Sequence, residues 1–490
     1  MQEGSISAFA REAKGLCADA ASAFRGNLLL LGAGAAWWGS HFLLLWNVPI
    51  ATLDSFVSGY DGRFVLTVAG TVIALGAMTL LAWRKPQFRF SAHRSSYAIF
   101  AGCASLALAL IVVPAFAGRA AFVGAAGAFL SGVGNSFALV LYGELHARMG
   151  FRFLPLACAV ESVAGVAVFV LLSPLPMMAD MLASAALVLA AAVLYFRYAR
   201  SAGCSSESPM PARMDMTVRS LVVLAVLTGF AYGLVRTFAI GGLGASGIPA
   251  GMTSECIGTC ISALLLVAVF LLQRRQSLFE QCLLFVVPLV ATGMLFISMQ
   301  GVSADAPLAL NTGGFACFFN LMWYFAAVLA AQDGRRRVTF LVALLFFSSQ
   351  SGQLLGALVP AQFANAFSSA LMYLLLLVLT LFLYWRAKAG RSAKPAEARK
   401  PDERLSAAPD ERGEESDEIA DAWAHRYGFS PREVEIARLL LQRTPYKQIS
   451  AQLFVSENTV KTHVRNIYKK ADVSSREELL EKLSGLAKKG

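Results

Sequence analysis

Residues 429–483 read FSPREVEIARLLLQRTPYKQISAQLFVSENTVKTHVRNIYKKADVSSREELLEKL and decide the fold of the C-terminal end of this chain. Ser430 and Glu433 have the spacing of a capping box, and Pro431 stands at the first helical position, so a helix is predicted to begin there. A second short helix is predicted to follow, and Ser456 is a suitable N-cap for a third. The stretch is therefore a small helical unit.

The predicted third helix is amphipathic. Its buried stripe is formed by Val460, Val464 and Ile467. The opposite side carries Lys461, Thr462, Arg465, Asn466 and Lys469. Arginine and lysine can donate to guanine edges, threonine methyl groups suit thymine, and all of them can bind phosphate. A helix, a tight turn and a polar-faced helix make a helix-turn-helix, although any amphipathic helix has a charged, solvated face.

Three runs within this stretch carry a family pattern. They are SPREVE at 430–435, KQIS at 447–450 and VSENTVKTHV at 455–464. They resemble the LuxR/GerE-type helix-turn-helix, and the resemblance covers only about the last sixty residues of the chain. It implies that Lys461, Thr462 and Arg465 face the groove of double-stranded DNA. The other residues expected at the DNA are Asn458, Thr459, His463, Lys469 and Lys447.

The resemblance also implies a fourth helix that dimerises. In this chain that helix would run from Ser475 to about Leu486, and Ser475 and Glu478 provide a capping box for it. Family dimers bind paired half-sites, so we expect a homodimer on DNA.

The rest of the chain has the composition of a membrane protein. Of its 490 residues, 57% are hydrophobic and only 15% are charged, against about 25% charged in soluble chains. The mean hydropathy is +0.59. The net charge of +11 is weak evidence for nucleic-acid binding by itself, because cytoplasmic loops of membrane proteins are also basic.

Apolar runs long enough to cross a bilayer follow one another along the chain. We place about twelve spans, near 27–47, 64–83, 97–117, 121–143, 153–173, 177–197, 218–238, 251–272, 282–300, 307–330, 338–358 and 366–385. The predicted fold class is all-α, a polytopic helical membrane bundle followed by a small soluble four-helix LuxR-type domain. The predicted divisions are 1–26 as an N-terminal cytoplasmic segment, 27–385 as the membrane domain with halves 27–197 and 218–385, 386–421 as a flexible charged linker, and 422–490 as the DNA-binding domain.

The loops predict the orientation of the spans. Basic residues are concentrated in the even-numbered connections, at Arg84, Lys85, Arg89, Arg94, Arg148, Arg152, Arg200, Arg213, Arg274, Arg275, Arg335, Arg336 and Arg337. By the positive-inside rule these connections lie in the cytoplasm, with both termini. We therefore expect a multi-pass protein of the bacterial inner membrane, with its helix-turn-helix on the side where DNA is.

Two groups of six spans, separated by the loop from Tyr198 to Thr217, look like a major-facilitator-type transporter fold. The likeness is one of hydropathy only. The glycine, acidic and basic signature of that family is absent from residues 83–89. No transport residue is carried over from it.

Ionisable residues within the spans are costly in lipid and are therefore candidates for a ligand pocket. The candidates for binding an unknown small molecule are Glu161, Arg236, Glu255, Asn135 and Trp323. A structural role competes with this interpretation, because Arg236 and Glu255 lie near the predicted membrane faces and could pair there. Trp323 could equally belong to an interfacial aromatic belt.

The sequence predicts a membrane-bound one-component transcriptional regulator that senses a small molecule or a membrane signal. The alternative is a major-facilitator-type transporter with a regulatory DNA-binding tail. An enzyme has little support, since no nucleotide-binding glycine loop, catalytic constellation, cofactor motif or metal motif is apparent. The predicted partners are double-stranded DNA, the lipid bilayer and a small molecule.

Overall fold

A computed structural model describes residues 15, 17–46, 62–117, 120–201, 217–243, 248–272, 278–298, 305–332, 337–392, 428–441, 444–453, 457–473 and 478–479. The chain divides into two compact units, Met1–Gly390 and Arg391–Gly490. Each unit is described by itself below. Within the described ranges the regular secondary structure is helical, as the sequence predicts.

The first unit is a bundle of long helices. They are α1 (Leu28–Trp46), α2 (Gly62–Arg84), α3 (Arg94–Ala117), α4 (Ala120–Met149), α5 (Leu154–Leu172), α6 (Met177–Arg200), α7 (Val218–Leu243), α8 (Ile248–Leu272), α9 (Leu278–Ser298), α10 (Asp305–Gln332), α11 (Val338–Ala357) and α12 (Ala361–Ser392). Each predicted span overlaps one of these helices over most of its length. Among the described residues, 8 helices have a stretch long and apolar enough to cross a membrane, and α1, α3, α9 and α12 contain shorter apolar stretches.

Helices α4 and α12 extend farthest beyond the predicted spans. The fourth predicted span, 121–143, is part of the longer α4, which continues for a further turn and a half to Met149. Helix α12 continues through residues 386–392, which the sequence assigned to the linker. Residues 393–427, which hold the remainder of that linker, lie outside the described part of the chain. The division into domains stays a prediction.

The two halves of the bundle repeat one mode of helix pairing. In the first half α1 packs on α5, and in the second half α7 packs on α11. Gly229 allows the second pair to approach, because a Cβ atom there would lie 2.1 Å from the carbonyl oxygen of Ser349. Small residues permit such close backbone contact in lipid. First and fifth helices paired in both halves are typical of a pseudo-repeated architecture.

Contacts at or beside the second, fourth, sixth and tenth connections place these four at one end of the bundle. Arg148 Nη1 donates to the carbonyl oxygen of Ala199 at 3.1 Å. The Glu144 carboxylate accepts hydrogen bonds from the backbone N–H groups of Phe90 and Ser91 at 3.1 and 2.7 Å. Thr339, at the start of α11, lies 2.5 Å from the same carboxylate. Glu144 therefore joins the two halves at this end.

The second unit contains α13 (Pro431–Leu441), α14 (Tyr446–Gln452) and α15 (Glu457–Ala471). The predicted capping box is formed: Ser430 N–H donates to Glu433 at 2.8 Å, and Glu433 N–H donates to Ser430 Oγ at 3.3 Å. The three helices share an apolar core of Phe429, Val434, Ile436, Ala437, Leu440, Ile449, Val460, Val464, Ile467, Ala471 and Leu479. Of the predicted fourth helix only Glu478 and Leu479 are described, and both are helical.

Candidate functional site

The first candidate site is the outer face of α15. Val460, Val464 and Ile467 are buried in the core, as the sequence predicts. This burial turns the opposite side of the helix outward. The exposed side chains there include Thr459, Lys461, Thr462, Arg465, Asn466 and Lys469, and His463 is half-buried. The side chains of the remaining two predicted DNA contacts, Asn458 and Lys447, lie outside the described residues.

Lys470 fixes the far end of α15 against the start of α13. Its ammonium group donates to the Glu433 carboxylate at 2.7 Å and to the carbonyl oxygen of Gly428 at 2.9 Å. Burial acts to raise the pKa of Glu433, but hydrogen bonds from Lys470 and Ser430 outweigh it and hold that pKa below its ordinary value. The exposed cations of α15 are thereby held in a fixed orientation, and Lys470 has a structural role that helical spacing alone does not reveal.

The second candidate site is a buried cluster around Glu161 in the first half. Its carboxylate lies 2.8 Å from His146 Nε2 and accepts a hydrogen bond from the Tyr142 hydroxyl. His146 Nδ1 lies 2.9 Å from the carbonyl oxygen of Tyr142, so Nδ1 must be the donor there. One proton is then shared between His146 Nε2 and Glu161, and both side chains have no solvent exposure. Gly34 on α1 leaves room for this carboxylate.

The third candidate site pairs Arg236 with Glu255 in the second half. Arg236 Nη1 lies 3.2 Å from the Glu255 carboxylate, and the Tyr232 hydroxyl donates to the same carboxylate at 2.6 Å. The Arg236 guanidinium lies over the ring of Phe64, a residue of the first half, at 4.8 Å. Arg236 and Glu255 therefore form an ion pair, which is the structural alternative to ligand binding that the sequence left open.

A cavity lies between the two halves. Its volume is about 100 Å³. It is lined by Trp37, Trp38, His41, Phe42, Phe64, Thr67, Val68, Thr71, Asn135, Ser162, Tyr232, Glu255, Thr259, Thr312, Phe315, Ala316, Phe319, Asn320, Gln350 and Gln353. A cleft with aromatic walls and a few polar groups is typical of a small-molecule site.

Only two of the five predicted pocket residues line this cavity. Asn135 and Glu255 line the cavity, whereas Glu161, Arg236 and Trp323 do not appear among its lining residues. Trp323 is buried between the halves: its indole Nε1 donates to the carbonyl oxygen of Leu139 at 3.0 Å, and its ring stacks on Tyr142 at 4.1 Å. Its burial contradicts a place in an interfacial belt.

Sequence reasoning missed most of the residues that line the cavity. The aromatic residues Trp37, Trp38, Phe315 and Phe319 looked like ordinary components of apolar spans. His146 was missed because the histidines are dispersed along the chain and α4 extends beyond its predicted span, whereas Tyr142 looked like an ordinary aromatic residue of that span. A usable signal was present: a tyrosine precedes a basic side chain by one helical turn at 142/146 and again at 232/236.

The C-terminal unit matches a known protein family. Residues 428–483 match the model of the family described as bacterial regulatory proteins, luxR family. The spore germination protein GerE of Bacillus subtilis is 38% identical over 55 residues, which are 11% of this chain and 74% of that protein. A nitrate/nitrite response regulator protein homolog of Haemophilus influenzae is 49% identical over 48 residues, and this chain spans only 23% of that protein's length.

The membrane unit is similar in fold to solved transporters. A bacterial homologue of the iron transporter ferroportin gives a TM-score of 0.53 at 14% identity, covering 74% of this chain and 99% of that one. The human organic anion transporter MFSD10 gives a TM-score of 0.51 at 14% identity, covering 73% and 99%. At this identity the likeness concerns the fold, and it agrees with the predicted major-facilitator-like arrangement. Through residues 428–483 and their helix-turn-helix, the chain belongs to the luxR family of bacterial regulatory proteins.

Proposed function

We propose that this protein is a membrane-bound one-component transcriptional regulator. Its bundle would lie in the inner membrane with both termini in the cytoplasm, and it would sense a small molecule through the cavity between its halves. Its C-terminal helix-turn-helix would bind promoter DNA. The proposal rests on a single observation. The same chain contains a luxR-family domain and a bundle of apolar helices with a cavity.

The DNA-binding part is supported by the chemistry of α15. Lys461, Thr462 and Arg465 are exposed on one side of a helix whose other side is buried. Arginine and lysine can contact guanine edges and phosphates, and threonine can contact thymine. A groove-facing role for these residues also follows the family resemblance. A homodimer would present two such helices to paired half-sites.

The sensing part is supported by the position of the cavity. Helices of both halves line it, so a bound molecule would contact both of them. A ligand shifts a conformational equilibrium only by the difference between its affinities for the two states. A ligand that favours one arrangement of the halves would bias the state of the bundle. That state would change how paired helix-turn-helix domains are presented, since two copies in one membrane have a high effective concentration for each other.

The test of the DNA-binding part is genome-wide crosslinking of the full-length protein and its variants. Lys461→Ala and Arg465→Ala should each lower promoter occupancy several-fold while membrane insertion stays intact, because each removes a cation from the DNA-facing side. Arg84→Ala, which removes an exposed cation of the membrane unit, is the matched control and should leave occupancy unchanged. Wild-type occupancy in both α15 variants would exclude the recognition-helix assignment.

A second candidate function is a transporter whose tail also regulates transcription. The observation that favours it is the transporter-like fold with a cavity between its halves. Uptake of radiolabelled compounds into vesicles containing the purified protein separates the two functions. Accumulation above empty vesicles would support transport, and binding without accumulation would support a sensor.

A further inference from the structure

Several polar atoms on residues that line the cavity have no hydrogen-bond partner within the protein. They are Trp38 Nε1, Asn135 Oδ1, Thr312 Oγ1, Asn320 Oδ1 and Gln353 Nε2. Thr312, Asn320 and Gln353 are only 2%, 2% and 3% exposed. Buried polar groups in native proteins are nearly always hydrogen-bonded, so a concentration of unpaired ones along one cavity indicates an occupant that pairs with them.

The surrounding contacts define what such an occupant must offer. Asn320 Nδ2 donates to the carbonyl oxygen of Ala316 at 2.8 Å, which fixes the amide orientation and leaves Oδ1 as an acceptor. Asn135 also leaves an acceptor oxygen, whereas Gln353 and Trp38 leave N–H donors. The occupant must therefore carry at least one hydrogen-bond donor and one acceptor.

The charge of the cavity favours an uncharged occupant. Glu255 is the carboxylate among the lining residues, and both Arg236 and Tyr232 already engage it. Arg63 lines a neighbouring cavity of about 50 Å³ instead. A charged occupant would lose its hydration on entering the cavity. Among the described lining residues it would meet no charged group that still lacks an opposite charge.

The walls and the volume favour a single ring. Aromatic side chains surround the space, among them Trp37, Phe64, Phe315 and Phe319. An apolar cavity of about 150 Å³ holds one benzene molecule, and the volume here is smaller, about 100 Å³, so the occupant can have no more than one ring. Flat rings stack on such walls with little loss of conformational entropy.

We infer that this cavity binds an uncharged, single-ring molecule carrying both a hydrogen-bond donor and an acceptor. The inference rests on the small-molecule part of the proposed function and specifies the class of its ligand. The unpaired amides of Asn135, Asn320 and Gln353 select for the polar groups of the molecule, and the aromatic walls select for its ring.

The test uses four probes of similar size: benzamide, benzoate, benzylamine and toluene. Their binding to the purified full-length protein in lipid nanodiscs is measured by calorimetry at millimolar concentrations. Benzamide should bind at least tenfold more tightly than the anion, the cation or the hydrocarbon. Tighter binding of benzoate or benzylamine would overturn the uncharged class. If toluene bound as tightly as benzamide, the amides would have no role in recognition. If none of the four probes bound, the cavity would not be a binding site.

Matched asparagine variants on α10 complete the test. Asn320→Leu removes the unpaired oxygen of a residue that lines the cavity, and it should weaken benzamide binding roughly three- to tenfold. Asn311→Leu removes a fully buried amide on the same helix whose oxygen and nitrogen are both unpaired and which does not line the cavity, and it should leave benzamide affinity unchanged. Equal affinities in both variants would contradict the inference. No DNA is present, so a failure here is distinct from a failure of promoter binding.

Discussion

The two buried carboxylate clusters of the membrane unit are built alike and differ in one component. In each, a tyrosine and a basic side chain lie one helical turn apart and both contact a glutamate. Each tyrosine stacks on an aromatic residue of α10, Tyr142 on Trp323 and Tyr232 on Phe315. The base is a histidine in the first half and an arginine in the second.

That difference changes what each cluster can do. Arginine is always protonated, so the Arg236–Glu255 pair is a fixed ion pair. Histidine can hold or release a proton, and the His146–Glu161 contact depends on a proton shared between them. The Arg236–Glu255 pair is suited to holding helices together beside the cavity. The His146–Glu161 contact can change with the state of the bundle. Variants in the two clusters test this contrast.

The largest effect is expected from Arg236→Ala. It leaves the buried Glu255 without its cation, and removal of one partner from a buried ion pair typically costs about 3–5 kcal/mol. The midpoint of thermal unfolding of the purified protein should fall markedly. The double variant Arg236→Met with Glu255→Gln removes both charges and should recover most of the loss. An unchanged midpoint in Arg236→Ala would refute the structural role.

A smaller effect on stability is expected from Glu161→Gln. Its amide can still accept from Tyr142 and donate to His146 Nε2, so the loss should be about 1 kcal/mol. Because the shared proton is gone, the variant should change the response to an inducer more than it changes protein level. Dose–response curves of a target-promoter reporter measure this. A curve identical to wild type would assign Glu161 a structural role only.

A glycine variant on the neighbouring helix sharpens that prediction. A Cβ atom at Gly34 would lie 2.2 Å from Glu161 Oε2, so Gly34→Ala must displace the carboxylate from its contacts. We expect a response altered in the same direction as in Glu161→Gln. Gly102→Ala is the control, since nothing lies within 4 Å of its added methyl group. If the two alanine variants respond alike, the packing of Glu161 is unimportant.

The narrowest effects, on stability alone, are expected from the tyrosine hydroxyls. Tyr142→Phe and Tyr232→Phe each remove one hydrogen bond to a buried carboxylate and keep the ring stacked on α10. Each should lower stability by roughly 1–2 kcal/mol, with the larger loss where no arginine supports the glutamate. The measurement is the unfolding midpoint of each variant. A larger loss in Tyr232→Phe would reverse the ranking of the two clusters.

The sequence predicted the elements of this protein better than their contacts. Hydropathy located every long helix of the membrane unit, because about 20 apolar residues are needed to cross a bilayer. The capping box and the buried stripe of α15 were local patterns and are confirmed. The cost of charges in lipid singled out Glu161 and Glu255, which lie in two buried polar clusters, and their role in ligand binding stays a prediction.

What the sequence did not predict depends on side chains brought together from distant positions. His146 meets Glu161 only because α4 extends past its predicted span and packs near α5. Trp323 is buried rather than at a membrane interface, and its contact with Leu139 across the two halves could not be foreseen from the sequence. The unpaired atoms of Asn320 and Gln353 can be recognised only when every hydrogen bond is accounted for. Such facts require three-dimensional packing.

The most direct test of the regulator is promoter occupancy by the full-length protein in living cells, measured by genome-wide crosslinking with and without a compound that binds the purified protein. We predict that occupancy at specific promoters changes with the compound and that Asn320→Leu shifts this change to higher concentrations. Occupancy that is the same with and without every such compound would contradict the claim that the membrane unit controls the DNA-binding domain.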